Sequence, residues 1–120
     1  EIGVGNLRVE RDFTDVRDTV QAYYSLMISG EPGMAYNVCS GKLASIEKIL
    51  SILKKLSKKE VVVAEKSELF REDEQVKYYG KRDFLTQQTG WEPQIPLKQT
   101  LSDLLEYWRG EIQVKKTYNH

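Results

Sequence analysis

Two arginine-containing stretches hold the side chains with the clearest capacity for chemistry. Residues 11–18 read RDFTDVRD, and residues 71–74 read REDE, with Glu74 three positions after Arg71. The planar guanidinium of arginine binds phosphate oxygens in a bidentate manner, and a nearby carboxylate accepts hydrogen bonds from sugar hydroxyls. The two stretches together indicate a nucleotide site. Taken alone, each arginine also fits an ordinary surface ion pair with a neighbouring carboxylate, which contributes little.

Other catalytic patterns do not occur in the sequence. It contains neither GxGxxG nor a Walker A motif, and no lysine stands four residues after Tyr78 or Tyr79. The single histidine, His120, is the last residue, which indicates a terminus more than a general base. Cys39 lies in an apolar stretch and is predicted to be a small core residue. The acidic residues lack metal-ligand spacing, so we expect no catalytic residue, metal site or cofactor site in this chain.

The composition limits the kinds of molecule that this chain is expected to bind. The chain has 120 residues, 40% of them hydrophobic, and 18 basic against 18 acidic side chains. A neutral charge argues against broad electrostatic binding of nucleic acid or an anionic membrane, and no apolar run reaches the roughly 20 residues of a membrane span. The single cysteine forbids an intramolecular disulfide and favours a cytoplasmic location. The start at Glu1, without a signal peptide, suggests a piece of a longer protein.

Local patterns predict the first half of the chain as helix, strand, helix, strand. Asp15 is a candidate N-cap for a helix ending near residues 29–33. The segment at 34–41 reads MAYNVCSG and is predicted to be a buried strand, and VVVA at 61–64 a second one. Ser45 is predicted to cap the second helix. The apolar faces of the two helices are predicted to consist of Val16, Val20, Tyr23 and Met27, and of Ile46, Ile49, Leu50, Leu53 and Leu56.

The second half is predicted to be a charged loop followed by two helices. Residues 66–81 have no clear apolar period, so we expect a loop with a short strand near 76–79, and this is the segment expected to meet a ligand. A brief helix at 82–88 and a proline-fixed connector follow. The last helix carries Leu97, Leu101, Leu104 and Trp108 and is predicted to end at Gly110, before a flexible tail at 111–120. The rings of Tyr23, Trp91 and Trp108 are assigned to packing.

This order of elements indicates an α/β layer, with right-handed crossovers if the two strands are parallel neighbours. Two buried strands make a poor sheet alone. We therefore expect them to extend a sheet supplied by another part of a longer chain, or to pair with a second copy.

Four blocks in this order resemble the C-terminal third of the extended short-chain dehydrogenase/reductase family. They read VGNLRVERDFTDVRDTVQAYYSLM, YNVCSGKLASIEKIL, R-x-x-E at 71–74, and TGWEPQIPLKQTLSDLLEYWR. The sequences of these blocks are most similar to the branch of GDP-mannose 4,6-dehydratases and GDP-4-keto-6-deoxymannose reductases. The enzymes of this branch are lyases and oxidoreductases. The resemblance implies the C-terminal lobe of a Rossmann-type enzyme, with a few short strands and about four helices, lacking the dinucleotide-binding domain. Residues 1–110 would form the nucleotide-sugar-binding domain.

The resemblance also implies roles for individual residues. Arg11 and Arg71 would contact the diphosphate of a nucleotide sugar, and Glu74 its ribose hydroxyls. Asn6 and Asn37 are weaker candidates, for the nucleotide or for holding backbone in place. In such enzymes NAD or NADP is bound by the N-terminal domain, which also carries the catalytic Tyr and Lys. The full-length enzyme is expected to be a homodimer or larger, and this chain alone to be inactive.

Some positions depart from the family pattern, so alternatives stay open. Glu72 and Asp73 stand where the branch has proline and serine or threonine, and Lys81 follows Gly80 where the branch has aspartate. A UDP- or dTDP-linked sugar therefore remains an alternative to a GDP-linked one. A further alternative is a non-catalytic interaction module from the same family, which would associate through its uncovered apolar faces. Arg17 and Asp18 are assigned to the start of the first helix, because aspartate is favoured there by the helix dipole.

Overall fold

The computed structural model describes residues 1–71 and 76–118, except for the side chains of 115–118. Within these ranges no helix is both long enough and apolar enough to cross a membrane.

The strands in the described part of the chain form two small sheets. β1 (Ile2–Val4) pairs in parallel with β4 (Val63–Glu65). In the other sheet, β2 (Glu10–Asp12) lies between β3 (Leu43–Ser45), which is antiparallel to it, and β5 (Lys77–Tyr78), which is parallel. The predicted strands at 61–64 and near 76–79 are confirmed, and β4 begins two residues later and ends one residue later than predicted.

The described residues also form four α-helices and one 3₁₀ turn. They are α1 (Val16–Ser29), α2 (Ile46–Leu56), the 3₁₀ turn Ser67–Leu69, α3 (Asp83–Thr89) and α4 (Leu97–Tyr118). The predicted caps are confirmed: Asp15 accepts a hydrogen bond from Arg17 N at 2.9 Å, and Ser45 accepts one from Lys48 N at 3.1 Å. Gly90 ends α3 in a left-handed conformation with φ of 73°, which glycine adopts without a steric penalty.

The core is small and lies between α1 and α3. Ala22, Leu85 and Trp91 are buried in contact with one another, and Leu26, Tyr36 and Val38 pack against them. The indole N–H of Trp91 donates to the carbonyl of Asp18 at 3.1 Å. The assignment of Trp91 to packing is therefore confirmed.

The acidic residues of the segment at 15–18 join α1 to the chain that precedes and begins α4. The buried Asp18 carboxylate accepts hydrogen bonds from Gln94 N at 3.1 Å and Ile95 N at 2.9 Å, so it fixes the proline connector. Arg17 Nη2 lies 2.8 Å from a carboxylate oxygen of Asp15 and 2.8 Å from one of Asp103 in α4. The assignment of Arg17 and Asp18 to the start of α1 is confirmed and extended, because their partners reach across the fold.

The outer face of α1 differs from the prediction. Val16, Val20, Tyr23 and Met27, predicted as its core face, are between 55% and 85% exposed, whereas Asp18 and Ala22 are buried. The helix therefore packs on this chain through its small and polar side and presents its apolar side outward. The reason is that Ala22 is small enough to pack beside Leu85 and Trp91 in the core, so the side of α1 that carries Ala22 faces inward.

Three further expectations are wrong. Residues 34–41, all of them within the described part, form no strand, because an isolated segment has no partner for ladder hydrogen bonds. α4 continues through Gly110 to Tyr118, since one glycine inside a helix costs only about 1 kcal/mol. Trp108, predicted to be packed, is 52% exposed. The division into a domain at 1–110 and a flexible tail at 111–120 stays a prediction.

The five apolar residues predicted for α2 are each only partly covered, and none of its side chains is fully buried. The strands β1, β2 and β3 were not predicted; the glycines of the first six residues suggested only a turn.

Candidate functional site

A cavity of about 340 Å³ brings together three of the predicted binding residues. Asn6, Arg11 and Arg71 line it, together with aliphatic side chains. The full lining consists of Val4, Gly5, Asn6, Leu7, Val9, Arg11, Ile46, Leu69 and Arg71. This volume lies at the small end of the range for ligand sites, so it suits part of a nucleotide and not a whole nucleotide sugar.

The wall that carries Asn6 is fixed by the strand β1 and by the start of α2. Ile46 N donates to Val9 O at 3.0 Å and Glu47 N to Leu7 O at 3.0 Å, which holds residues 7–9 against the helix. Asn6 Oδ1 accepts a hydrogen bond from Arg8 N at 3.0 Å and closes a local turn. The amide of Asn6 is therefore held beside the cavity by the backbone around it.

The wall that carries Arg71 lies against Gly5. A side-chain Cβ on Gly5 would stand 2.9 Å from the carbonyl oxygen of Leu69, too close for any other residue without a shift. Lys66 N donates to Val4 O at 2.9 Å, which continues the β1–β4 pairing toward the 3₁₀ turn. The glycine thus permits the close approach that places Arg71 at the same cavity as Asn6.

Arg11 is presented by β2, the central strand of its sheet. The side chain is partly buried, and its Nη1 donates to Glu10 O at 2.9 Å. Among the described residues that line the cavity, two carry guanidinium groups and none carries a carboxylate. The cavity is therefore suited to an anion that accepts hydrogen bonds in a plane, as phosphate does.

The remaining two predicted residues are not at this cavity. Asn37 lines a separate cavity of about 630 Å³, and its Nδ2 donates to Lys81 O at 3.3 Å. This contact favours its alternative role of holding the backbone. Glu74 lies outside the described residues, so its assignment to the ribose hydroxyls stays a prediction.

The larger cavity is also lined by residues that were not predicted to bind a ligand. Tyr78, Tyr79 and Lys81 line it, together with Asp12 from the RDF block. The signal available in the sequence was their place in the charged segment 66–81, which was expected to meet a ligand.

Asp12 is occupied with the backbone. Its carboxylate accepts hydrogen bonds from Ser40 N at 2.8 Å, Ser40 Oγ at 2.6 Å and Gly41 N at 2.7 Å. It therefore fixes the Ser40–Gly41 turn and is not available as a general base.

The thiol of Cys39 is equally unsuited to catalysis. The side chain is buried. Burial is the largest cause of the raised pKa of the thiol, and the negative charge of Asp12 raises this pKa further. A thiol whose pKa is raised is a poor nucleophile at neutral pH. The assignment of Cys39 to the core is confirmed by its burial.

The chain is similar in sequence and in structure to proteins of known family. The family model described as GDP-mannose 4,6 dehydratase matches residues 1–104. The GDP-6-deoxy-D-mannose reductase of Pseudomonas aeruginosa is 36% identical over 110 residues, which are 92% of this chain and 36% of that protein.

Solved structures of other proteins have this fold. RMD from Pseudomonas aeruginosa, complexed with NADPH, superposes with a TM-score of 0.85 at 35% identity, over 92% of this chain and 36% of that one. The UDP-glucose 4-epimerase of Thermotoga maritima, with UDP-glucose, has a TM-score of 0.84 at 22% identity, over 93% of this chain and 36% of that one; this similarity concerns the fold alone. The chain thus spans about a third of the length of the proteins it matches.

Proposed function

Because the chain belongs to the GDP-mannose 4,6 dehydratase family, we propose that it is the substrate-binding portion of an NAD(P)-dependent nucleotide-sugar dehydratase or reductase. The observation that carries this proposal is the cavity at which Asn6, Arg11 and Arg71 meet. Its ligand would be the diphosphate of a nucleotide sugar. A GDP-linked sugar is the first candidate, because the family and the similar reductase are named for GDP-linked sugars. The complete enzyme would work in the cytoplasm.

The two guanidiniums would act as a clamp on the diphosphate. Arg11 comes from the strand β2 and Arg71 lies two residues after the 3₁₀ turn, so the two cations are presented by separate segments of the chain. A clamp of this kind places the rest of the ligand by binding energy gained away from the reacting atoms. Because the cavity is small, the sugar would extend beyond it to where the chemistry occurs.

The residues described here do not fit a dinucleotide cofactor. The chain enters α1 and α2 directly after Asp15 and Ser45, without the glycine-rich turn that lets a strand–helix junction approach a pyrophosphate. A cofactor would supply hydride chemistry at the sugar when bound to another part of the enzyme. The contribution of this chain is to bind and orient the substrate, and we expect no turnover from it alone.

The outward apolar side of α1 agrees with a place inside a larger protein. The chain spans about a third of the length of its relatives, and Val16, Val20, Tyr23 and Met27 are each more than half exposed. We propose that the remainder of a longer polypeptide covers this face and supplies the cofactor site.

The proposal is tested by titrating the complete polypeptide with GDP, with UDP and dTDP as comparison ligands. Arg71→Ala should weaken GDP binding by about tenfold to a hundredfold, because it removes charged hydrogen bonds to phosphate. Arg71→Lys should recover only part of the loss, since lysine lacks the planar fork. Arg8→Ala is the matched control, because it removes the same charge near the cavity from a residue that does not line it.

Selective GDP binding that depends on Arg71 but not on Arg8 would support the proposal. Stronger binding of UDP or dTDP would keep the site and change the substrate. An Arg71→Ala protein that binds GDP as well as the parent would exclude the proposed clamp.

A further inference from the structure

The carboxylate of Asp12 anchors a turn that leads directly into the strand β3. Its two oxygens together accept three hydrogen bonds from this turn, donated by Ser40 N, Ser40 Oγ and Gly41 N. The Ser40 hydroxyl in turn accepts a hydrogen bond from Lys42 N at 3.1 Å, one residue before β3 begins. A continuous set of contacts therefore runs from Asp12, the last residue of β2, to the start of β3.

The same turn is held from its other side by Arg82. The partly buried Arg82 side chain donates a hydrogen bond to the carbonyl oxygen of Ser40. Asp12 thus accepts from the two N–H groups of the turn while Arg82 donates to its carbonyl. Because both sides of the turn are bonded, it cannot move along β2 without breaking several hydrogen bonds.

The ladder between β2 and β3 joins this turn to the candidate cavity. It pairs Asp12 with Leu43, Arg11 with Ala44 and Glu10 with Ser45. Immediately beyond the last pair, Ile46 N donates to Val9 O at 3.0 Å. Val9, Arg11 and Ile46 all line the cavity. The anchored end of the ladder and its cavity end are therefore separated by only three residue pairs.

In a ladder of three pairs, few contacts define the register. A slip by one residue would move β3 by about 3.3 Å along β2 and turn its side chains to the opposite face. Ala44, which is buried and lies opposite Arg11, would then be replaced there by Leu43 or Ser45. Ile46 would also lose its place opposite Val9, and the wall of the cavity would change shape.

We propose that Asp12 is a positioning residue for the candidate cavity: by anchoring the Ser40–Gly41 turn, it sets the register of β3 on β2 and holds Ile46 opposite Val9, beside Arg11. The inference rests on the proposed function of that cavity as a nucleotide site. Asp12 does not line the cavity, so it acts on the ligand through these neighbours. Hydrogen bonds behind a binding group keep the geometry that recognition of phosphate requires.

The test measures GDP affinity and hydrogen exchange in variants of the complete polypeptide. Asp12→Ala should weaken GDP binding by about fivefold to tenfold. This is part of the loss expected when a charged hydrogen bond to phosphate is removed, because the Arg11 guanidinium stays while its surroundings are no longer fixed. Without ligand, the Ile46 amide of this variant should exchange at least about tenfold faster relative to amides in the middle of α2, since its acceptor Val9 O is no longer held in place.

Asp18→Ala is the matched control. It also removes a carboxylate that accepts two backbone hydrogen bonds, but these bonds fix the connector at 94–95 and not the ladder. This variant should keep GDP affinity within about twofold of the parent and should not accelerate exchange at Ile46 more than in the middle of α2.

Ser40→Ala covers the case in which Asp12→Ala does not fold, because it removes only one of the three anchoring hydrogen bonds. A folded Ser40→Ala protein should bind GDP about twofold to threefold more weakly than the parent. Unchanged affinity in this variant would reject the positioning role.

The outcomes separate the proposed function from the positioning role. If the unmodified protein binds no nucleoside diphosphate, the proposed function is wrong and the positioning role is rejected with it. If binding depends on Arg71 but is unchanged by Asp12→Ala, only the positioning role is wrong. Equal losses of affinity from Asp12→Ala and Asp18→Ala would also overturn it, because the effect would then reflect a general loss of stability.

Discussion

At the scale of single residues, the RDFTDVRD block divides into separate roles. Arg11 faces the candidate cavity, whereas Asp12 holds the Ser40–Gly41 turn. Asp15 and Asp18 support the scaffold by capping α1 and fixing the connector. The sequence indicated the cap, because N-caps are local. The partners of Asp18 are backbone N–H groups 76 and 77 residues away, and no local pattern identifies such partners.

Asp18 should be among the residues most sensitive to truncation. Asp18→Ala leaves two part-buried backbone N–H groups without their acceptors, so we expect a loss of about 2–4 kcal/mol in the free energy of unfolding. Asp18→Asn keeps one acceptor oxygen in place and should lose clearly less. Urea denaturation of the three proteins measures the difference, and equal stability of the alanine variant and the parent would contradict this role.

Asp15 gives the chain a specific response to acid. Hydrogen bonds from the Arg17 guanidinium, assisted by Thr100, hold the pKa of Asp15 well below its usual range. A depressed pKa stabilises the fold fully above the unfolded value of about 3.9, and this contribution is lost as the pH falls toward the folded value.

The stability advantage of the parent over Asp15→Asn should therefore be largest near neutral pH and shrink as the pH falls below about 4. Denaturation curves at about pH 7 and about pH 3 measure it. A difference between the two proteins that does not change with pH would show that the carboxylate charge is not involved.

At the scale of elements, periodic segments and two of the short strands, β4 and β5, were predicted, whereas the short strands β1, β2 and β3 were not. The four helices were located from apolar spacing and caps, which are local signals. β1, β2 and β3 have three residues each, and their existence depends on partners elsewhere in the chain. The segment 34–41 shows the opposite case, since its strand-like composition forms no strand among the described residues. The prediction that Arg11 and Arg71 contact the same ligand came from the resemblance. The structure adds the close approach of Gly5 to Leu69, which allows both arginines to line one cavity.

Two glycines with positive φ should differ in their tolerance of alanine. Gly90, with φ of 73°, has open space where a Cβ would lie, so Gly90→Ala should cost only about 1 kcal/mol of backbone strain. Gly41, with φ of 72°, lies against the Arg82 guanidinium, which donates to Ser40 O. Gly41→Ala combines the same strain with displacement of that guanidinium and should cost at least about 1 kcal/mol more. Thermal unfolding of both variants checks the order, and a less stable Gly90 variant would reverse this interpretation.

At the scale of the whole molecule, few hydrophobic side chains among the described residues are buried, and many large ones are exposed. Its core centres on Ala22, Leu85 and Trp91, while α1 turns its large apolar side chains outward. Several large side chains in α4, including Leu104, Trp108 and Ile112, are also about half exposed. A domain with so small a core gains little stability from burial alone. Under the proposed function, the remainder of a longer polypeptide would cover these exposed apolar side chains.

The apolar side of α1 should therefore behave differently in the isolated chain and in a complete polypeptide. Alone, the chain should self-associate at micromolar concentrations through this face, because an uncovered apolar patch drives association. Substituting Val20→Glu and Met27→Glu together should make the isolated chain monomeric in sedimentation velocity. In the complete polypeptide the same pair should expose the junction to proteolysis, because two charges would then lie in an apolar interface. Gln21→Glu, on the same helix but outside the apolar side, is the matched control and should change neither measurement. If the isolated parent chain is monomeric and the complete polypeptide resists protease equally with and without the substitutions, α1 is an ordinary solvent-facing helix and the covering domain must lie elsewhere.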